Sequence, residues 1–248
     1  MNLNSISIPD WVIPQSGNLV VIVDLSQIHI PTPFDWLNSQ EQKRYQQVCS
    51  PDQQARYLKI RGLLRIVLAQ KLRCNPNVFT FEINRSGKPF LKDQHLHFNL
   101  THSENWLAIM LSKHPCGIDI EKKVQRKNLT SLVKRFFCEN EYQTFEENND
   151  QFSLFTNWWT TKEAVLKAYG SGIAGGLHKL DLCEHTHQLN QASYQIELIQ
   201  PKPELYLSCA TENATPIENS YFVLQSNLEI TPLMSPYKHQ LTLKPEHI

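Results

Sequence analysis

The stretch Phe152–Gly172, FSLFTNWWTTKEAVLKAYGSG, constrains this chain more than any other. It reads as the strongest helix in the sequence, closed by Gly170 and Gly172, residues suited to the left-handed turn that ends a helix. At helical spacing Phe152, Phe155, Trp159 and Leu166 form one apolar stripe, with Trp158 and Trp159 read as core and wall. Glu163 falls inside that stripe, and an unpaired carboxylate buried there is costly. Two readings follow. Either Lys167, one turn on, pairs with it as a structural partner, or Glu163 is a metal ligand with Lys162 and Lys167 facing phosphate oxygens.

A second carboxylate pair lies upstream, in Cys116–Lys123, CGIDIEKK. Side chains alternate along a strand, so Ile118 and Ile120 point to one face while Asp119 and Glu121 share the other, about 7 Å apart at ~3.3 Å per residue. Such a pair suits a hard cation with oxygen ligands, Mg²⁺ being held by a few carboxylates plus substrate phosphates. Taken alone, an alternating strand with a solvated acidic face explains the octapeptide equally well.

Two further segments bear on anion binding. In Arg85–Leu91, RSGKPFL, Gly87 and Pro89 define a tight turn presenting Lys88. In His95–Ser103, HLHFNLTHS, the parity of Leu96, Phe98 and Leu100 marks a strand with His95, His97 and Asn99 on its other face. His102 falls on the apolar parity and is therefore predicted just past the strand's end, in a turn with Thr101 and Ser103, where histidine and hydroxyl groups can bond a phosphate. The same histidines allow zinc as a rival, with His95, His97, His102 and Asp119 as ligands and His185 and His187 repeating the spacing; no open-site base accompanies that set.

The remaining sequence bounds the setting. Lysine plus arginine equals aspartate plus glutamate at 24 each, so no bulk charge points to nucleic acid or membrane as a partner. No apolar run approaches the roughly 18 residues needed to span a bilayer. Residues 1–14 lack the basic start and apolar core of a secretory signal. Six scattered cysteines without a CxxC pair fit a reducing compartment, and a cytoplasmic location is expected. Strands predicted at Leu19–Leu25, Phe79–Ile83, His95–Leu100, Trp106–Leu111, Gly117–Glu121, Tyr194–Ile199, Leu205–Cys209 and Tyr221–Leu228 mix with helices at Ser39–Val48, Asp52–Leu72, Leu129–Phe137, Glu139–Glu147 and Phe152–Tyr169. Asn128 is the expected cap of the third helix. Without strict βαβ alternation, the class is α+β.

In order, GKPFL, FNLTHS, GIDIEKK, KRFF and WTTKEAVLKAYGSG resemble the Sfp-type 4′-phosphopantetheinyl transferases, with a weaker likeness upstream at RYLKIRGLLR. The resemblance covers roughly residues 40–175. It implies a monomer of two similar α+β lobes related by a pseudo-twofold, here divided as 1–112 (coenzyme A binding) and 113–228 (metal site and catalytic helix); the tail at 229–248, with Pro232, Pro236 and Pro245, is separately expected to be poorly ordered. It implies transfer of phosphopantetheine from coenzyme A to a serine of an acyl or peptidyl carrier protein, releasing adenosine 3′,5′-bisphosphate. By motif, Asp119, Glu121 and Glu163 match Mg²⁺ ligands, and Glu163 also the proposed base. Lys167 matches the lysine near the α-phosphate, and Lys162 the lysine before the helix acid. Lys88, Thr101 and His102 match phosphate-holding residues, and Arg44 and Arg56 fall where basic groups meet the 3′-phosphate. Phe136 and Phe137 match the segment near which the carrier docks. Thr101 stands in place of the commoner serine, and Glu41 where some relatives have a lysine. A non-catalytic coenzyme A or carrier-binding module and a metal-dependent phosphohydrolase are the alternatives.

Overall fold

Strand β1 (Asn18–Asp24) is buried on both faces, which explains its almost unbroken apolar run. Leu19, Val21 and Val23 pack under helix α2 (Pro51–Leu72), against Leu63, Leu64 and Val67. Val20 and Ile22 face the other way, into a core shared with the second sheet. The computed structural model describes residues 10–30, 34–92, 95–123, 125, 127–170, 176–183, 188–189, 192–212, 217–233 and 237–239.

Helix α1 (Ser39–Gln47) opens on a capping box in which Asn38 and Glu41 satisfy each other's backbone amides. After α2 come a hairpin of β2 (Phe81–Ile83) and β3 (Pro89–Leu91), then β4 (His97–Ser103) and β5 (Trp106–Ser112). Strand β6 (Cys116–Lys122) leads to helices α3 (Leu129–Phe136), α4 (Glu139–Glu147) and α5 (Gln151–Tyr169). The chain continues through β7 (Gln188–Leu189), β8 (Ala192–Lys202), β9 (Leu205–Glu212), β10 (Asn219–Leu224), β11 (Ile230–Pro232) and β12 (Tyr237–His239). No helix among the described residues is long and apolar enough to cross a membrane.

Two five-stranded sheets result. The first has the order β11-β10-β1-β5-β4, and the second runs β12-β8-β9-β6 with β7 on β8. In each, a first strand pairs antiparallel with the second strand of a later hairpin: β1 with β5, and β6 with β9. A long helix separates strand from hairpin both times, α2 in one and α5 in the other. Strand β10 departs from the division at residue 112, since it lies parallel to β1 and completes the first sheet. Of the tail, residues 229–233 and 237–239 are described and include the short edge strands β11 and β12.

Two local expectations are corrected. Strand β4 runs through Ser103, because the β4–β5 pairing continues to Ser103 opposite Trp106 across a tight turn in which Glu104 takes φ 48°. His102 therefore sits within the strand, not beyond it. Asn128 precedes α3 without a side-chain cap, whereas Asp150 caps α5 by accepting from the Ser153 amide.

Helix α5 is buried on most of its circumference, beyond the single stripe read from spacing. Thr160 and Thr161 bond Ser208 of β9, while Phe155 and Trp158 pack with Phe137. At Gly117 the strand β6 touches the helix backbone directly: a Cβ there would lie 2.0 Å from the Ala164 carbonyl oxygen and 2.4 Å from the Ala168 nitrogen. We expect Gly117→Ala to force β6 and α5 apart and to destabilise the fold by about 1–3 kcal/mol or more. Denaturant unfolding checks this, and an unchanged midpoint would refute the contact.

Candidate active site

The site forms where the end of β4, the middle of β6 and the last turns of α5 converge. β4 and β6 share no backbone ladder; side chains bridge them instead. Asn99 accepts from the Ile118 amide at 2.9 Å, Thr101 donates to Asp119 at 2.9 Å, and Ser103 donates to Glu121 at 2.9 Å. These three β4 residues are two apart, so one strand face supplies every rung. Asn99 is not singled out as functional by the sequence, and Ser103 is expected there as a phosphate donor and not as a partner of Glu121; their shared parity with Thr101 is the signal that finds both rungs.

Asp119 is 3% exposed, so the acidic face of β6 is not a solvated one. Helix α5 covers it. The Lys167 ammonium lies 2.5 Å from Asp119 Oδ1, 3.5 Å from Glu163 Oε2 and 3.3 Å from the Thr101 hydroxyl. One ammonium thus joins two of the three carboxylates, and Lys167 is the one-turn partner of Glu163 that its spacing predicts. Burial pushes the Asp119 carboxyl up, against the opposing pull of Lys167, Thr101 and the Ile120 amide. Burial, and then the Asp119 charge, likewise raise Glu163, with Lys167 opposing. His102 is held below the usual histidine range by desolvation and by the positive charges of Arg56 and Lys167. Arg56 donates to the Glu104 carbonyl, which fixes it beside the β4–β5 turn.

The donor set fits a hard divalent ion. It consists of carboxylate oxygens, and Asp119 Oδ2 is buried without accepting a hydrogen bond. Neither the zinc set nor the acidic trio is drawn into a closed metal shell: among the described residues, the one group of three His, Cys, Asp or Glu atoms within 4.8 Å of one another is Cys138, Glu141 and Asp181. Glu141 is already engaged there, accepting from the Cys138 and Leu182 amides and from Lys162. His185 and His187 lie outside the described residues.

Several expected site residues are placed elsewhere. Lys162 does not face the carboxylates. It is fully buried, 2.6 Å from Glu141, and its remaining hydrogens go to the Leu177 and Leu180 carbonyls. The reason is rotational, since successive helix residues point about 100° apart. Lys88 donates to backbone carbonyls of Cys116, Lys167 and Ala168. Glu41 is buried in the α1 capping box and paired with Arg65 at 2.7 Å, so its carboxylate is neutralised and not directed at an anion pocket. Arg44 is exposed on α1 and lines a small cavity of about 50 Å³ with Tyr57, Arg61 and Pro89. Phe137 is core, 6% exposed, under the Lys162 ammonium. Only Phe136 keeps partial exposure, packed edge-on against Trp159.

With this geometry in hand, the comparisons with known proteins are specific. A profile of the 4′-phosphopantetheinyl transferase superfamily matches residues 115–216, a span that holds all three carboxylates and Lys167. The chain is 37% identical over 181 residues to the 4′-phosphopantetheinyl transferase HetI of Nostoc, covering 65% of this chain and 76% of HetI. It is 38% identical over 150 residues to a putative 4′-phosphopantetheinyl transferase of Synechocystis, covering 58% of this chain and 61% of that relative. With Sfp of Bacillus subtilis it shares 29% identity over 137 residues, 54% of this chain and 59% of Sfp. The chain belongs to the 4′-phosphopantetheinyl transferase superfamily.

Two expected outcomes follow from the burial of these charges. Lys162→Met leaves Glu141 buried without its cation and lowers stability by about 3–5 kcal/mol, measured by denaturant unfolding; a loss under about 1 kcal/mol would mean that the pair is dispensable. For Glu163 the sign runs the other way. Its folded pKa lies above its unfolded value, so it favours folding at low pH, and that contribution is lost as pH rises through the folded pKa. Glu163→Gln therefore raises Tm of the metal-free protein near neutral pH, and the gain shrinks as the medium is acidified. A gain independent of pH would contradict the buried-carboxylate account.

Proposed function

We propose that this chain transfers the 4′-phosphopantetheine group of coenzyme A to a serine hydroxyl of an apo acyl or peptidyl carrier protein, releasing adenosine 3′,5′-bisphosphate. The observation that carries the proposal is the cluster itself: Asp119 and Glu163 joined by the Lys167 ammonium, with Glu121 two residues along β6 from Asp119 and bonded to Ser103, on elements that also bear the family's motifs.

The chemistry asks for two things, stabilisation of charge on a departing phosphate and activation of a weak nucleophile. Asp119, Glu121 and Glu163 would hold Mg²⁺, which when bound supplies Lewis-acid stabilisation of the pyrophosphate. Lys167 adds a cation for the phosphate oxygens, and Thr101 and His102 supply neighbouring polar groups on β4. Glu163 accepts the serine proton as the serine oxygen attacks the β-phosphorus and the bond to the bridging oxygen breaks. Its raised pKa suits a base that must hold that proton. Arg44, half-buried Arg56 and the small cavity beside Arg44 support a place for the nucleotide end of coenzyme A on the first lobe.

The repeated order of strand, helix and hairpin supports two lobes related by a pseudo-twofold, divided near residue 112, with β10 returning to the first. The carrier docks beside α3, where Phe136 retains exposed surface next to Lys134 and Arg135. The protein works as a monomer in the cytoplasm, a setting supported by its free cysteines.

Incubation with coenzyme A, Mg²⁺ and an apo carrier protein, followed by mass measurement of the carrier, tests the reading. The wild-type chain adds one phosphopantetheine per carrier, and Asp119→Ala abolishes the addition while keeping a cooperative unfolding transition. Binding of coenzyme A without transfer would point instead to a binding module, and cleavage of coenzyme A without carrier modification to a hydrolase.

A further inference from the structure

Lys88 was expected to contact phosphate, yet its ammonium is already spoken for within the protein. An ammonium offers three hydrogens. Three backbone oxygens surround this one: Lys167 at 2.6 Å, Cys116 at 2.9 Å and Ala168 at 3.5 Å. Two of these are carbonyls of the last turn of α5, the negative end of the helix, where a cation is favoured. The third belongs to the first residue of β6.

The turn that delivers Lys88 is built to hold it. Asn84 accepts from the Ser86 amide at 3.0 Å and the Lys88 amide at 2.8 Å, and its own amide donates to the Lys88 carbonyl at 3.0 Å. Gly87 takes φ 84°, a conformation open to glycine at no steric cost. The hairpin also rests on the cap of α5, since a Cβ at Gly170 would lie 3.6 Å from the Asn84 amide nitrogen.

We propose that Lys88 is a positioning residue, a clamp that fixes the end of α5 to the start of β6 and thereby holds Lys167 against Asp119. The two backbone oxygens it holds most closely belong to residue 167 itself and to residue 116, three before Asp119. Gly117, between them, is where strand and helix backbones touch. Lys88 thus acts through the Asp119–Lys167 pair, which spans 2.5 Å across the same junction, and not by touching the coenzyme.

The kinetic part of the test rests on the transfer activity proposed above; a second part does not. Amide hydrogen exchange is measured on the ligand-free full chain, and transfer kinetics with coenzyme A and carrier, for the wild type and Lys88→Met. The clamp requires faster exchange at the Gly170 amide and through the last turn of α5. It also requires kcat reduced by about tenfold or more with KM for coenzyme A within about twofold, the pattern of an interaction that counts in the transition state and not in uniform binding. Wild-type exchange in the last turn overturns the proposal. So does a KM for coenzyme A raised about tenfold with kcat retained, which assigns the ammonium to phosphate. If Lys88→Met does not fold, Asn84→Ala loosens the turn while keeping the lysine and must show the same exchange and kcat pattern in milder form; its absence overturns the clamp. A wild-type chain that transfers nothing defeats the function alone and leaves exchange to decide the clamp.

Discussion

Strand β6 lies against helix α5 with no side chain between them at Gly117, and the site depends on that contact. A strand and a helix normally stand apart by the width of their side chains. Removing those at one position brings the carboxylate two residues along β6 to within 2.5 Å of an ammonium three residues beyond Ala164 on α5. The same closeness explains why Asp119 is nearly inaccessible although it belongs to the polar parity of its strand. Ile118 and Ile120 fill the core between the sheets on the opposite face. The strand is therefore dry on both sides as far as Ile120, with Glu121 half-exposed beyond it, and the buried acids of the site depend on named partners instead of water.

Those partners do not satisfy them completely. Burial works against ionisation of both Asp119 and Glu163, and a single lysine serves the two. One oxygen of Asp119 accepts nothing. A fold optimised only for stability would not keep this arrangement, because a buried carboxylate short of partners costs more than an apolar side chain in its place. The cost is intelligible if a further cation belongs among these oxygens and if Glu163 must hold a proton during the reaction.

Much of this was legible in the sequence. Strand alternation located Asp119 and Glu121 on one face, and a carboxylate within an apolar helix pointed to Glu163. Both inferences use only local periodicity, which the chain obeys wherever an element has one buried face. The α+β class and nearly all of the helices were legible on the same ground. Two of the lysines were not. Lys88 and Lys162 are long cations beside motif residues, and sequence spacing gives neither a direction, whereas the i,i+4 spacing of Lys167 from Glu163 predicts the pairing observed. Lys162 turned out to pair with Glu141, which is 21 residues away and on another helix. Lys88 met carbonyls that exist as acceptors only because α5 ends beside it. The pairing of β10 with β1 was likewise hidden, since a parallel contact between residues about 200 apart leaves no local trace.

The segment FNLTHS has two roles, separated by strand parity. Asn99, Thr101 and Ser103 face β6 and replace the missing ladder with side-chain bonds, one to a backbone amide and two to carboxylates. His102 falls on the other parity, beside Arg56, in an electropositive neighbourhood that disfavours its protonation. A serine in place of Thr101 would keep the hydroxyl that bridges Asp119 and Lys167, which is why the threonine in this chain is no loss. A turn placed at His102, as apolar parity alone suggested, would have broken the sequence of rungs before Ser103 and removed the Ser103 hydroxyl from Glu121. Continuation of β4 to the tight turn at Glu104 is thus what brings the third rung, and with it the second carboxylate of β6, into the site.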